Sequence, residues 1–199
     1  GGGPAIFTSL YDALTDPGTR EASLLGAIPP RLDRFAAAHR AFVHDGAVVR
    51  IPRGKAAGPY FVEFQAVTPG TVSFPHLAIE AEEGAQGSVV VLFRSPDGAD
   101  CVVVPQVEAV VGDNANLAIT MVQAWGDATY GVTQQRVGVG RDAHVTLAEA
   151  GLGGSNARLH LSVDLEGRGA DARILGVYFG DREQILDYRY FMNHKAPNT

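Results

Sequence analysis

The sequence predicts a mainly β protein, a β-helix of about 28 residues per coil behind a short helical lead-in. Two observations predict it. All 22 valines lie between Val43 and Val177. Valine's branched Cβ loses freedom in a helix and suits a pleated surface. The asymmetry therefore separates a helical start, residues 1–42, from a β body, residues 43–199. Within the body four segments resemble one another: Gly84-Ala85-Gln86-Gly87-Ser88-Val89, Asp113-Asn114-Ala115-Asn116-Leu117, Arg141-Asp142-Ala143-His144-Val145 and Ala170-Asp171-Ala172-Arg173-Ile174. Each is a turn leading into an apolar strand, and the first strand residues, Val89, Leu117, Val145 and Ile174, are 28, 28 and 29 positions apart. Another strand precedes each turn, at Leu77–Ala81, Val107–Val111, Arg136–Val139 and Leu161–Leu165. With no helix between strands the unit is not βαβ. A meandering sandwich has strands every ~8–12 residues without a superimposed period. The fixed period favours a β-helix, whose inward positions stack coil on coil.

The elements follow in order. Gly1-Gly2-Gly3-Pro4 reads as a trimmed end and carries no fold information. Thr8 can cap a first helix running through Leu14, and Asp16-Pro17-Gly18 is a turn. Pro29-Pro30 breaks the chain again. Asp33 caps a second helix, Arg34 to Ala41, with Phe35, Ala38 and Phe42 at helical spacing. Asp45-Gly46 signals a hairpin-type turn, and Ala47–Ile51 is a short strand stopped by Pro52 and Gly54. The chain stops at Pro197-Asn198-Thr199, directly after a dense motif, and reads as a piece of a longer protein.

Composition excludes several classes. With 16 Lys+Arg against 22 Asp+Glu, the net charge is −6, which offers no general pull toward nucleic acid or anionic membrane. Apolar residues at 46% suffice for a substantial core. No apolar run approaches the ~20 residues of a membrane-spanning helix. One cysteine, Cys101, forbids an internal disulfide and any all-cysteine metal site within one chain, and a reducing, cytoplasmic setting is the simplest expectation.

The residues that could carry chemistry are few. The six histidines form no HxxxH, HExxH or HxH pattern, and His39, His44, His76, His144 and His160 read as scattered surface or half-buried imidazoles. There is no Gly-x-Ser-x-Gly elbow. Gly151–Asn156 resembles a phosphate loop but lacks the Lys-Ser/Thr ending and a following helix, so it reads as a flexible connection. Cys101, beside a valine run, reads as a small buried hydrophobe. Gln123 and Trp125 share one side of a strand. If that side faces inward, the amide needs partners and marks a polar pocket inside the solenoid; the other reading is an outward pair at a strand end. Asp187–Thr199 alternates aromatic and polar residues. It reads either as an edge strand at a protein interface, with Tyr188, Tyr190, Met192 and His194 as contacts, or as a last buried coil.

These pieces together resemble the SufB/SufD family of iron–sulfur cluster assembly proteins, SufD more closely. The resemblance runs from about Phe7 to Thr199. It rests on Phe7-Thr8-Ser9-Leu10 through Leu14, Leu32–Phe42, Asp45-Gly46-Ala47-Val48-Val49-Arg50-Ile51-Pro52-Arg53-Gly54, Met121–Trp125, Ile174–Phe179 and Asn193-His194-Lys195-Ala196-Pro197-Asn198-Thr199. The resemblance implies a right-handed parallel β-helix between helical regions. It implies a non-enzymatic scaffold on which SufB and SufD pair through their β-helices and bind the ATPase SufC through C-terminal helices. An iron–sulfur cluster is built on that assembly, and a reduced flavin is associated with it. Gln123 and Trp125 match a Gln-x-Trp on SufB's internal polar path. SufB's Glu-Gly-Cys turn is replaced by Phe93-Arg94-Ser95-Pro96, and a SufB lysine falls on Gln134. Both departures favour SufD, while the ending Ala196-Pro197-Asn198-Thr199 leans toward SufB. The family's cysteine/histidine motif and its SufC-docking region fall beyond residue 199. The bare end coil is then expected to homodimerise through the strands near Tyr188–Met192.

Two other readings stand beside this one. One is a SufB-type sulfur-accepting fragment. The other is a carbohydrate-acting β-helix enzyme, for which Glu108 and Asp164 are the carboxylates on the inter-turn strands Val107–Val111 and Leu161–Leu165.

Overall fold

The computed structural model describes residues 6–16, 24–44 and 46–199. The expected features at Gly1–Pro4, Pro17-Gly18 and Asp45 lie outside them. The chain begins with β1 (Ile6–Ser9), α1 (Leu10–Thr15) and α2 (Arg34–Phe42). Thr8 is not the first cap. It lies in β1, paired with Val48, and Ser9 caps α1 by accepting from the Asp12 amide at 3.0 Å. Its backbone is already committed to the sheet, so the helix starts one residue later. Asp33 caps α2 by accepting from the Phe35 and Ala36 amides, at 2.9 and 2.8 Å.

The body is a right-handed parallel β-solenoid of about five turns with a repeat of about 29 residues. One wall runs through β2 (Gly46–Ile51), β5 (His76–Ala81), β8 (Gln106–Val111), β10 (Tyr130–Val139), β12 (Asn156–Leu165) and β14 (Ile185–His194). The opposite wall holds β3 (Ala56–Gln65), β6 (Gln86–Arg94), β9 (Asn116–Trp125), β11 (His144–Gly153) and β13 (Asp171–Phe179). Two short strands, β4 (Val72–Ser73) and β7 (Val102–Val103), extend the first wall at a corner. β1 pairs antiparallel with β2, and every other pairing is parallel.

Stacking fixes the interior. One column reads Val49, Ile79, Ala109, Val137, Val163, Met192, and a second reads Val89, Ile119, Leu147, Ile174. The expected ladder holds between Leu117 and Val145 but slips elsewhere: Val89 pairs with Ile119, and Ile174 pairs with Leu147. Both slips are two residues, the strand period, so each side chain stays on its wall face.

The turn between the two walls recurs with one design. Gly54, Gly84, Asn114, Asp142, Gly169 and Asn198 all have positive φ. In four of them an alanine follows, Ala85, Ala115, Ala143 or Ala170, with at most 2% exposure. The turns also bond to one another: the Gly84 amide donates to Asp113 O, that of Asn114 to Arg141 O, and that of Asp142 to Arg168 O. The Ala196–Thr199 ending makes another turn of this kind at Asn198.

Candidate functional site

Two polar constellations stand out, one outside the first wall and one inside the solenoid. The outer one is where the lead-in lies on the sheet. Outward positions of β5, β8 and β10 carry His76, Gln106, Glu108 and Gln134, which are nevertheless buried because the lead-in covers them. Glu108 accepts from the backbone amides of Ala27 and Ile28, at 2.7 and 3.0 Å. Burial pushes its pKa up, opposed by those two amides. Gln134 donates to the Asp33 carboxylate and accepts from Gln106. His39 on α2 meets His76 on β5, and the pair bridges Val104 O to Leu24 O. The expectation of surface or half-buried imidazoles therefore fails at His39 and His76, which are 1% and 0% exposed. No ligand spacing flags them, since their partners are two backbone carbonyls and each other.

The inner constellation begins with Gln123 and Trp125, which both point into the lumen from β9. Gln123 Oε1 accepts from Thr133 Oγ1 at 2.8 Å and from Trp125 Nε1 at 3.2 Å. Trp125 also ends an aromatic stack with Phe93 and Phe64, whose successive centroids are 6.1 and 5.2 Å apart. Further along the axis, Gln135 on β10 and Glu149 on β11 face the same lumen, and both are buried. Sequence reasoning missed Gln135 and Glu149. Each stands in an otherwise aliphatic column, Val107–Gln135–Leu161 and Met121–Glu149–Gly176, a signal that appears only once register is known.

Tyr188, Tyr190, Met192 and His194 lie on the inner face of β14, stacked on Leu159, Leu161, Val163 and Leu165. The alternate positions of that strand are Asp187, Arg189, Phe191 and Asn193. Gly153 and Gly154 take positive φ at the corner between β11 and β12, where the phosphate-loop look-alike is a tight connection with no following helix. Cys101 is 2% exposed, with Sγ 3.5 Å from Thr129 Oγ1. Among the described residues no group of three or more His, Cys, Asp or Glu side chains could hold a metal ion. Glu108 and Asp164 fall on different rows of the first wall. Glu108 lies beside Arg136, and Asp164 lies between Gly138 and Asn193 and is paired with Arg136 and Lys195. They form no facing carboxylate pair.

Similarity to known proteins agrees with this geometry. An iron–sulfur cluster assembly SufBD family protein of Mycobacterium bovis is 31% identical over 178 residues, covering 87% of this chain and 42% of the relative. One from Mycobacterium leprae is 30% identical over 178 residues, covering 87% and 43%. One from Staphylococcus epidermidis is 26% identical over 201 residues, covering 98% and 42%. The chain thus spans about two fifths of the length of these relatives. The model of the SUF system FeS cluster assembly SufBD core domain matches residues 64–199, the coils just described, and the chain therefore belongs to the SufBD family.

Proposed function

We propose that this chain is the solenoid part of a SufD-type scaffold in the SUF iron–sulfur cluster assembly complex. It acts with a SufB-like subunit and the ATPase SufC in the cytoplasm, and is not an enzyme by itself. The observation that carries this is the match of the SufBD core to residues 64–199, a segment whose one cysteine is buried beside Thr129. A sulfur acceptor needs an accessible thiolate, so the burial of Cys101 favours SufD over SufB. The separate rows of Glu108 and Asp164 weigh against a carbohydrate-acting enzyme.

The partner surface in this reading is the last coil. β13 and β14 are the end strands of their sheets among the described residues, and in this reading the SufB-like subunit pairs with their outer backbone. Tyr188, Tyr190, Met192 and His194 would support that edge from the lumen side. The same edges would let two copies of this segment pair. The test is co-purification with SufB-like and SufC-like proteins of one organism, with masses read by light scattering. Binding to the SufB-like protein is expected. Its absence, with a clean monomer, would overturn the proposal.

A further inference from the structure

The polar groups of the lumen are far from satisfied by one another. Gln123 Nε2, both polar atoms of Gln135, both carboxyl oxygens of Glu149 and the Tyr188 hydroxyl are buried without a hydrogen-bond partner in the protein. Gln123, Gln135 and Glu149 are only 1–2% exposed. Left bare, six such atoms would cancel much of the stability of a folded domain.

The space around them is built rather than accidental. Glycine occupies the two positions of the second wall that the tyrosines of β14 approach. A Cβ at Gly151 would collide with the Tyr188 hydroxyl, and one at Gly176 would collide with that of Tyr190. Gly176 is also the register neighbour of Glu149. Two glycines thus let phenol groups from one wall reach across the lumen to flank a carboxyl on the other.

We propose that this chamber is a binding site for water and similarly small neutral hydrogen-bonding molecules, held among the unpartnered polar atoms of Glu149, Gln135 and Tyr188. The groups facing Glu149 are Gln135 from β10, Met121 from β9, Gly176 from β13 and Tyr188 and Tyr190 from β14. None is a cation. Burial drives the Glu149 pKa well above the carboxylate range, opposed by the neighbouring Gln135 amide. A protonated Glu149 has one O–H donor and a carbonyl acceptor, the Gln135 amide has two donors and an acceptor, and Tyr188 has one donor and an acceptor. Bound waters with two to four partners each would close this set, roughly as buried waters do elsewhere. The site sits on the axis next to Gln123, so a small guest in the lumen would meet a proton donor there. The inference stands on the interior alone and does not depend on the scaffold reading.

The test is infrared spectroscopy of the purified chain at neutral pH, wild type against Glu149→Gln. The wild type should show a carboxylic-acid C=O stretch that shifts in D2O and is lost in the variant. Carboxylate bands lost in its place would overturn the proposal. Carbon-13 labelling of glutamate in the wild type reads the same protonation state by NMR without any variant, which covers a misfolded Glu149→Gln. A high-resolution crystal structure supplies the second arm. Ordered molecules within hydrogen-bond reach of Glu149 and Gln135 support the site, and a dry chamber with these side chains bonded directly to each other overturns it.

Discussion

Nε2 of His39 lies 3.2 Å from Nδ1 of His76, and the two remaining ring nitrogens both face carbonyl oxygens, Val104 O at 2.8 Å and Leu24 O at 2.7 Å. A carbonyl only accepts, so each outer nitrogen must carry its hydrogen. The two inner nitrogens of the neutral pair are then facing lone pairs. One added proton would close an N–H···N bond between them, and a second would set two N–H groups against each other. The pair therefore titrates as a unit.

Burial lowers both histidines, His39 to about 4 and His76, which also feels His39, to about 3. The unfolded chain takes up these protons near pH ~6.5. Stability is therefore fully present above that pH and is lost as the pH falls toward the folded values. The loss belongs to the pair rather than to either ring and is on the order of 3 kcal/mol or more by the lower end of that range. Urea unfolding across this range should show a falling midpoint, and His76→Leu should flatten the dependence. A midpoint constant down to pH about 4 would contradict the buried bridge.

The lead-in hangs on Glu108 as much as on the histidines. Its carboxyl takes the backbone amides of Ala27 and Ile28. Glu108→Ala should leave both amides unpaired beneath the lead-in, at about 2–4 kcal/mol. Limited proteolysis should then cut within residues 24–44 while the solenoid stays intact. Unchanged resistance to cleavage would show that the clasp is redundant.

Asn114 holds a positive φ of 58° in a turn stacked between Gly84 and Asp142. Glycine adopts this conformation freely, whereas a β-branched residue pays for it in strain. Asn114→Val should lower stability by about 1–2 kcal/mol, and Asn114→Gly should change it by less than about 1 kcal/mol. Thermal unfolding of the two variants decides it, and equal melting temperatures would mean the turn can relax.

Much of this architecture is legible in the chain, for reasons particular residues make plain. The valine boundary marks the solenoid, and the small-residue turns at Gly84, Asn114, Asp142 and Ala170 mark its period, because a stacked turn tolerates few residue types. The exact ladder is not legible. The observed spacings of paired residues vary: Gly46 to His76 is 30 positions, Gln106 to Gln134 is 28, and Gln134 to His160 is 26. A loop can absorb two residues without changing which face a side chain occupies. The Gln-x-Trp pair was visible because its residues are adjacent on one strand. Glu149 and Gln135 were not, since a polar residue in a strand normally reads as solvent-facing, and only the stack beneath and above shows that it points inward. The buried histidines were hidden for a related reason, because the segment that covers them is distant in sequence.

The outer face of β13 carries an apolar ridge that should promote self-association. Leu175, Val177 and Phe179 are 47%, 62% and 71% exposed on β13, on the face opposite Ile174 and Gly176. Leu152, the register partner of Phe179, is 43% exposed beside them. Contiguous exposed apolar surface of this kind promotes protein–protein contact. Replacing Val177 and Phe179 with lysine places two like charges on the ridge and touches no buried column. The double variant should shift light-scattering masses toward the monomer while changing stability by no more than about 0.5 kcal/mol per site. Should association persist unchanged, the ridge is not its seat.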